Sequence, residues 1–392
     1  MLLRRLDLFR IAFACFLIGA VFHEQMPKVA PLYHQIQQGR VLTVMITALV
    51  CFLAGQWLRD RWDKGKVSLA ADADPNPQRL FVASVLLAFS LLGLAVFLLA
   101  MRGIPMLADD PGKASAMKLA LNIRTFGLTR VTDVFLPFLS VLCFGMSLRY
   151  SQKRHPRILA GVLAGLTLAI LFFKAGKANA IWLVLGLLTV YDLVQKRQAR
   201  LFTARVLLSM LACLAVGISI IYVTEGQEMV FTLKYLAGRV FIYSWEGFNF
   251  ILLKKLPCDL GWQLERFFSI GGVYESPDVI LSREITGGKS IHFAVIPTLF
   301  GFLYRNGGLP LVACGFLILG ALVRGVVRRI ERNCGNVLNA TAWFFVYLML
   351  LDIFLVGNVF DEIRGMGISV LVMYLALRFL SVVTFSKSRS VA

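Results

Sequence analysis

The chain of 392 residues is 58% hydrophobic, with a mean hydropathy of +0.75, and this composition excludes a soluble globular protein. Its apolar runs of roughly 17–25 residues do not alternate as the strands of a membrane β-barrel would, so they predict membrane-spanning helices. The net charge of +19 comes from basic residues spread over many helix ends, which predicts contact with anionic membrane lipids rather than with nucleic acid.

The apolar runs predict an all-α, polytopic membrane protein with about ten transmembrane helices. In chain order, the spans lie at about 6–22, 41–58, 80–101, 131–150, 158–173, 180–195, 206–224, 308–326, 338–357 and 365–384. Residues 1–224 hold spans one to seven, with a basic outer loop at 102–130. Residues 225–306 form a large outer loop with a re-entrant or interfacial helix, and residues 307–392 hold spans eight to ten.

Basic residues predict the orientation of these spans. Of the 41 Lys and Arg residues, 23 lie in short segments that share one side of the membrane, which places both termini in the cytoplasm. The other 18 face outward, eight of them in residues 225–306 and five in the loop at 102–130. Any one of these could be a solvated charge balanced by nearby acids. Two basic outer loops together predict an anionic ligand at the outer face.

The large outer loop begins with a predicted helix at 232–256. Polar side chains recur there at spacings of three and four, which predicts one polar stripe: Tyr235, Arg239, Tyr243, Glu246 and Asn249. A helix of this kind suits an interfacial position facing water. Arg239 would bind phosphate, because a planar guanidinium matches phosphate oxygens. Alternatively, Arg239 and Glu246 only neutralise each other.

His292 is a candidate general base. It lies between the large outer loop and the membrane, with basic neighbours on both sides, and neutral imidazole accepts a proton near physiological pH. The alternative is an interfacial histidine that only donates and accepts hydrogen bonds. The four histidines and seven cysteines lack the spacing of metal ligands, so neither a metal nor another cofactor is expected.

Acidic residues near the outer face are candidates for supporting roles. Asp352 lies within span nine, and an ionisable group inside a span is a functional candidate by default. It could instead be paired or reached by water. Asp361 in the following outer turn, like Glu246, could orient His292 or a ligand hydroxyl.

Four fragments of the chain carry a family resemblance. They are Arg102-Gly-Ile-Pro-Met-Leu107, Arg124-Thr-Phe-Gly127, Lys174-Ala-Gly-Lys-Ala-Asn179 and the stretch from His292 through Pro297-Thr298 to Tyr304-Arg-Asn-Gly-Gly308. Together with the span layout and the large late outer loop, these fragments resemble the oligosaccharide repeat-unit polymerases of the O-antigen polymerase type. The chain lacks the spaced arginine–glycine motif of some members, so no residue is assigned from that motif.

The resemblance implies a GT-C-like glycosyltransferase of the bacterial inner membrane with a large periplasmic loop. Such an enzyme transfers a growing glycan from its undecaprenyl-diphosphate carrier onto a new lipid-linked repeat unit, and it works with a chain-length regulator protein. His292 is then the candidate catalytic base. The candidate ligands of the diphosphate are Arg239, Arg266, Arg283, Arg305 and Arg124.

Two alternative functions stay open. An O-antigen ligase has similar parts and differs in its acceptor. A transporter or flippase for an anionic lipid-linked glycan would instead need charged residues along a path through the membrane. Apart from Asp352, the predicted spans carry almost no interior charge, which favours chemistry at the membrane surface.

Overall fold

The protein is described by a computed structural model. Placed residues are 8–22, 37–63, 74, 76–108, 113, 117, 128–151, 153–174, 177–196, 247–249, 251–252, 298–333 and 335–383. Throughout these ranges the regular structure is helical, without a strand. The predicted all-α fold is therefore confirmed for this part of the chain.

Nine longer helices lie within these ranges. They are α1 (Leu8–Val21), α2 (Gln38–Trp62), α3 (Pro77–Arg102), α4 (128–150), α5 (Arg154–Phe173), α6 (Lys177–Lys196), α7 (Thr298–Arg332), α8 (Val337–Val356) and α9 (359–383). Helices α4 and α9 each contain a π-helical segment, Val131–Phe135 and Ile363–Gly367. A short 3-10 helix, Pro105–Leu107, follows α3.

The helices define a multi-pass membrane protein. Among the described residues, seven helices are long and apolar enough to cross a membrane, and two shorter apolar helices lie at Leu8–Val21 and Asn179–Val194. These nine overlap nine of the ten predicted spans. The remaining predicted span, 206–224, lies outside the described residues. The total number of spans and the GT-C-like fold stay predictions.

The described helices belong to two compact units. Unit 1 comprises Met1–Lys66, Ile218–Gly325 and Met349–Arg364, and unit 2 comprises Val67–Gly217, Val326–Leu348 and Gly365–Ala392. Each unit therefore combines segments that are far apart in the sequence.

Phenylalanine rings form the core of unit 1. The buried rings come from α1, α2, α7, α8 and the helical residues 247–249: Phe9, Phe13, Phe16, Phe52, Phe248, Phe300, Phe316 and Phe354. Ring centroids of Phe13 and Phe354 lie 4.9 Å apart, and those of Phe300 and Phe316 lie 4.8 Å apart. Tilted and offset pairs at such distances are favourable because ring edges and faces carry opposite partial charges. Specific ring packing therefore joins these segments.

Two glycines bring α2 and α7 into backbone contact within unit 1. A Cβ at Gly55 would overlap the carbonyl of Leu317, and a Cβ at Gly320 would overlap the carbonyl of Phe52. In membranes, small residues at a helix crossing allow close van der Waals packing, which replaces the hydrophobic driving force available in water. The two glycines thus determine how closely these helices pack.

Helix α4 is the centre of unit 2. Its span Val131–Tyr150 is 78% buried, whereas the spans of α3 and α5 are each 33% buried. It packs against α3, α5 and α6. The Ser140 and Thr167 hydroxyls share a buried hydrogen bond of 2.8 Å that links α4 to α5. A helix buried on nearly every face needs an apolar sequence all round, and 134–146 provides it, with the hydroxyl of Ser140 as the single polar side chain.

A remote carboxylate caps the start of α8 in unit 2. Asp74 is buried, and its oxygens accept hydrogen bonds from the backbone N–H groups of Val337 at 2.9 Å and Leu338 at 3.1 Å. The Tyr150 hydroxyl donates to the same carboxylate at 2.7 Å. The first N–H groups of a helix lack partners within the helix, so this carboxylate satisfies two of them. Asp74 therefore ties the segment before α3 to the start of α8.

Candidate functional site

Most residues of the predicted site lie outside the described part of the chain. This group contains the candidate base and four of the five candidate arginines, together with one supporting acid: His292, Arg239, Arg266, Arg283, Arg124 and Glu246. Their roles stay predictions. The remaining three members, Arg305, Asp352 and Asp361, are described and all belong to unit 1.

Arg305 lies on α7 just before a break in the helix. The backbone leaves helical geometry at Gly307 and Gly308, and Gly308 has φ +62 and ψ −156, a conformation that glycine adopts without a steric penalty. The Arg305 side chain is exposed. It makes no ion pair or side-chain hydrogen bond with another described residue. The cation is therefore presented to solvent at the point where α7 changes direction.

The two described acids, Asp352 and Asp361, lie near different charged residues. Asp352 is half-buried on α8, and the charge of Glu362 acts on it. Asp361 lies in the first turn of α9, with an oxygen 3.8 Å from an Arg364 nitrogen. Arg305 forms an ion pair with neither carboxylate. Asp352 thus lies near Glu362, Asp361 lies near Arg364, and Arg305 has no ion-pair partner among the described residues.

One polar residue of the predicted stripe at 232–256 is described. Residues 247–249 are helical, and Asn249 is buried, with its Oδ1 accepting a hydrogen bond of 3.1 Å from the backbone N–H of Gln37. Gln37 precedes α2, so this contact fixes the start of that helix to the 247–249 turn. The hydrogen bond gives Asn249 a structural role in unit 1.

Unit 2 contains a polar cluster that the predicted site did not include. Lys174, directly after α5, is buried, and its Nζ lies 2.9 Å from both carboxylate oxygens of Asp133 and 2.9 Å from the Thr132 hydroxyl. Thr132 and Asp133 lie in the π-helical segment of α4. We call these three residues the Lys174 cluster. It joins the end of α5 to the beginning of α4 through one ammonium group.

Arg130 stands at the edge of the Lys174 cluster, immediately before the π-helical segment of α4. Its guanidinium lies against Gly365, which belongs to the π-helical segment of α9, and a side chain at Gly365 would overlap it. The Gly365 carbonyl accepts a hydrogen bond of 2.5 Å from the Ser369 hydroxyl. Single π-helical turns inside α-helices occur frequently at functional sites. Arg130 thus lies directly before one such turn and against a glycine of the other.

The sequence contains a signal for the Lys174 cluster. Asp133 is an acid near the start of an apolar run, and Lys174 is the first residue after another. Charged groups at such positions are usually paired. The sequence does not specify which acid pairs with which base, because 41 residues separate them. Within the described ranges, no group of three or more His, Cys, Asp or Glu side chains could hold a metal ion.

Comparisons with protein-family models, curated proteins and solved structures find no match to this chain. The fold therefore defines the class of this protein, which is a multi-pass helical membrane protein. Chemically, the described residues offer exposed or half-buried guanidinium groups near helix ends and helix breaks. Such groups bind anions, especially phosphate, through charge-assisted hydrogen bonds.

Proposed function

We propose that this protein polymerises oligosaccharide repeat units that are linked to undecaprenyl diphosphate, at the periplasmic face of a bacterial inner membrane. The observation that carries the proposal is Arg305. It is exposed, it forms no ion pair with a described residue, and it lies at the helix break that follows the large loop. A diphosphate in the membrane surface needs such a partner. The type of reaction in this proposal comes from the resemblance of the sequence to the oligosaccharide repeat-unit polymerases.

The proposed reaction transfers the growing glycan from one lipid carrier to a new unit. A hydroxyl oxygen of the new unit attacks the anomeric carbon of the growing chain. The bond between that carbon and the diphosphate oxygen breaks, and His292 takes the hydroxyl proton. Negative charge develops on the departing undecaprenyl diphosphate, and preorganised guanidinium groups such as Arg305 and Arg239 stabilise it. Asp352 and Asp361 support the site, and no cofactor takes part.

Deletion of the gene separates this function from its alternatives. In a polymerase mutant, lipid A carries at most one repeat unit, because ligation of a single unit continues. Loss of all O-antigen from lipid A, with long chains still on the lipid carrier, would indicate a ligase. Accumulation of single lipid-linked units on the cytoplasmic side would indicate a flippase. Gel electrophoresis of lipopolysaccharide and extraction of lipid-linked glycans distinguish the three outcomes.

Site variants test the assignment of residues. His292→Ala and Arg239→Ala are expected to abolish long chains without lowering the amount of protein in the membrane. Arg305→Ala is expected to slow polymerisation by about 10²–10³-fold, the usual effect of removing one donor to a developing anion. Arg154→Ala is the matched control, since Arg154 is an exposed arginine at the start of α5. Normal chain lengths in both the His292 and Arg239 variants would refute the proposed site.

A further inference from the structure

We infer that Arg130, which lies against Gly365 and directly before the π-helical segment Val131–Phe135, binds the phosphate group of a ligand at the membrane surface. Arg130 directly precedes Val131–Tyr150, a segment long and apolar enough to cross a membrane, and basic residues at the ends of such segments commonly contact lipid headgroups. The site uses residues outside the set assigned to sugar transfer. The proposed phosphate site is therefore independent of the proposed polymerase activity.

Among the described residues, no carboxylate balances the positive charge of Arg130. Asp133 is three residues after Arg130 on the same helix, a spacing that brings two side chains within reach of each other. Both Asp133 oxygens instead contact Lys174, at 2.9 Å each. Arg130 forms no ion pair or side-chain hydrogen bond with any residue in the described ranges. The Lys174 cluster is internally neutral, so the charge of Arg130 is not balanced by it.

The position of Arg130 is suited to phosphate recognition. Its side chain is half-buried, so its charge is screened less than that of a solvated surface arginine. The guanidinium occupies the space that a side chain at Gly365 would take. The planar group fills this space beside the Gly365 backbone, and its forked N–H donors have the geometry that matches two oxygens of one phosphate. A lysine would supply the positive charge without the planar, forked arrangement of N–H donors.

The cluster beside Arg130 keeps the helical turn in place. Lys174 bonds to Thr132 and Asp133, which lie within the π-helical segment that starts directly after Arg130. Thr132 also donates to the Thr129 carbonyl at 2.9 Å, one residue before Arg130. Lys174 is thus a positioning residue for the turn that carries Arg130.

Substitution of Gly365 changes the position of the Arg130 guanidinium without removing its charge. In Gly365→Ala, the three atoms nearest the new methyl group all belong to the Arg130 guanidinium, the far end of a flexible side chain, so the guanidinium is expected to be displaced and the helix to stay intact. Alanine also favours helix over glycine by up to about 1 kcal/mol, which offsets part of the cost. Gly365→Ala therefore keeps the charge of Arg130 and changes its position.

Thermal unfolding of the purified full-length protein in detergent, with increasing inorganic pyrophosphate, tests the site. Wild type is expected to show a saturable rise in unfolding temperature. Arg130→Gln and Gly365→Ala are expected to bind at least about ten-fold more weakly, and Arg130→Lys to lie between them and wild type. The matched controls are Arg154→Gln and Gly161→Ala, since Arg154 is exposed and a Cβ at Gly161 meets nothing within 4 Å.

A second arm identifies the source of the phosphate. Wild type and Arg130→Gln are compared in nanodiscs of phosphatidylglycerol and of phosphatidylcholine, with and without pyrophosphate. Stabilisation by phosphatidylglycerol that depends on Arg130 supports a lipid headgroup as the ligand. Stabilisation by pyrophosphate in phosphatidylcholine that depends on Arg130 supports a free or terminal phosphate. If Arg130→Gln matches wild type in both arms, or wild type shows no saturable response in either, the inference is overturned.

Discussion

Replacing Lys174 with methionine tests how the buried end of α5 is held. Methionine keeps most of the side-chain length and removes the ammonium group that contacts Thr132 and Asp133. The Asp133 carboxylate then loses its only described cationic partner. Its remaining side-chain contact is the Thr132 hydroxyl at 3.3 Å. We expect a large loss of stability without a change in the helical content.

The magnitude follows from the exposure of the two partners. The Lys174 side chain is 5% exposed and the Asp133 side chain 23% exposed. Removing one partner of a fully buried pair costs roughly 3–5 kcal/mol. Because water reaches part of Asp133, we expect the lower end, about 3 kcal/mol. Lys153→Met, an exposed lysine before the other end of α5, is the control and should change stability by less than about 0.5 kcal/mol.

A double-mutant cycle in micelles measures the pair directly. Denaturant titrations followed by tryptophan fluorescence give the free energy of unfolding of wild type, Lys174→Met, Asp133→Asn and the double variant. The double variant is expected to be more stable than the sum of the single changes predicts, by about 1–3 kcal/mol, because neither charge is left alone. A coupling energy below about 0.5 kcal/mol would refute a strong pair.

Three further changes test the packing. Gly320→Ala should destabilise by about 2 kcal/mol in the same titration, because its Cβ would overlap the Phe52 carbonyl; Gly93→Ala, inside α3 with nothing within 4 Å, should be neutral or stabilising by up to about 1 kcal/mol. Asp74→Ala should cost about 2 kcal/mol through loss of the α8 cap, and Asp74→Asn less; equal stability of both variants and wild type would contradict the capping role. Gly357→Ala, at φ +81, should lower the yield of folded protein on size exclusion, and an unchanged yield would contradict the described turn.

The break in α7 shows which features of a helix the hydropathy pattern predicts and which it does not. Hydropathy predicts a span from about 308, which agrees with the helical stretch that follows the break at Gly307 and Gly308; a shorter helical stretch from Thr298 precedes the break and buries Phe300 and Phe302 in unit 1. Tyr304-Arg-Asn-Gly-Gly308 interrupts the apolar run, so a hydropathy window starts after it. Gly307 and Gly308 adopt non-helical backbone angles, so they separate this shorter stretch from the longer one that ends at Arg332. Their effect depends on the backbone angles they adopt, which composition does not specify.

Asp74 shows a similar limit. In the sequence it belongs to a polar stretch with prolines, which predicts a linker between two spans. In the structure its carboxylate is buried and caps a helix that starts 263 residues later. Local pattern identifies a turn former. It does not identify the distant N–H groups that the same side chain satisfies.

The sequence by itself determined the class of this protein. Long apolar runs must become helices in a bilayer, because the hydrocarbon offers no partner for free backbone N–H and C=O groups. That requirement is local, so nine helices could be placed from the sequence within the described ranges.

Only the tertiary structure decided which basic side chains form ion pairs with described residues and which do not. Lys174 and Arg130 are both basic residues near the ends of apolar runs, and their sequence contexts do not distinguish them. Lys174 is buried against Asp133, whereas Arg130 lies against a glycine that offers no counter-charge. Pairing depends on distances between segments far apart in the chain, and these are set by the packing of α4, α5 and α9.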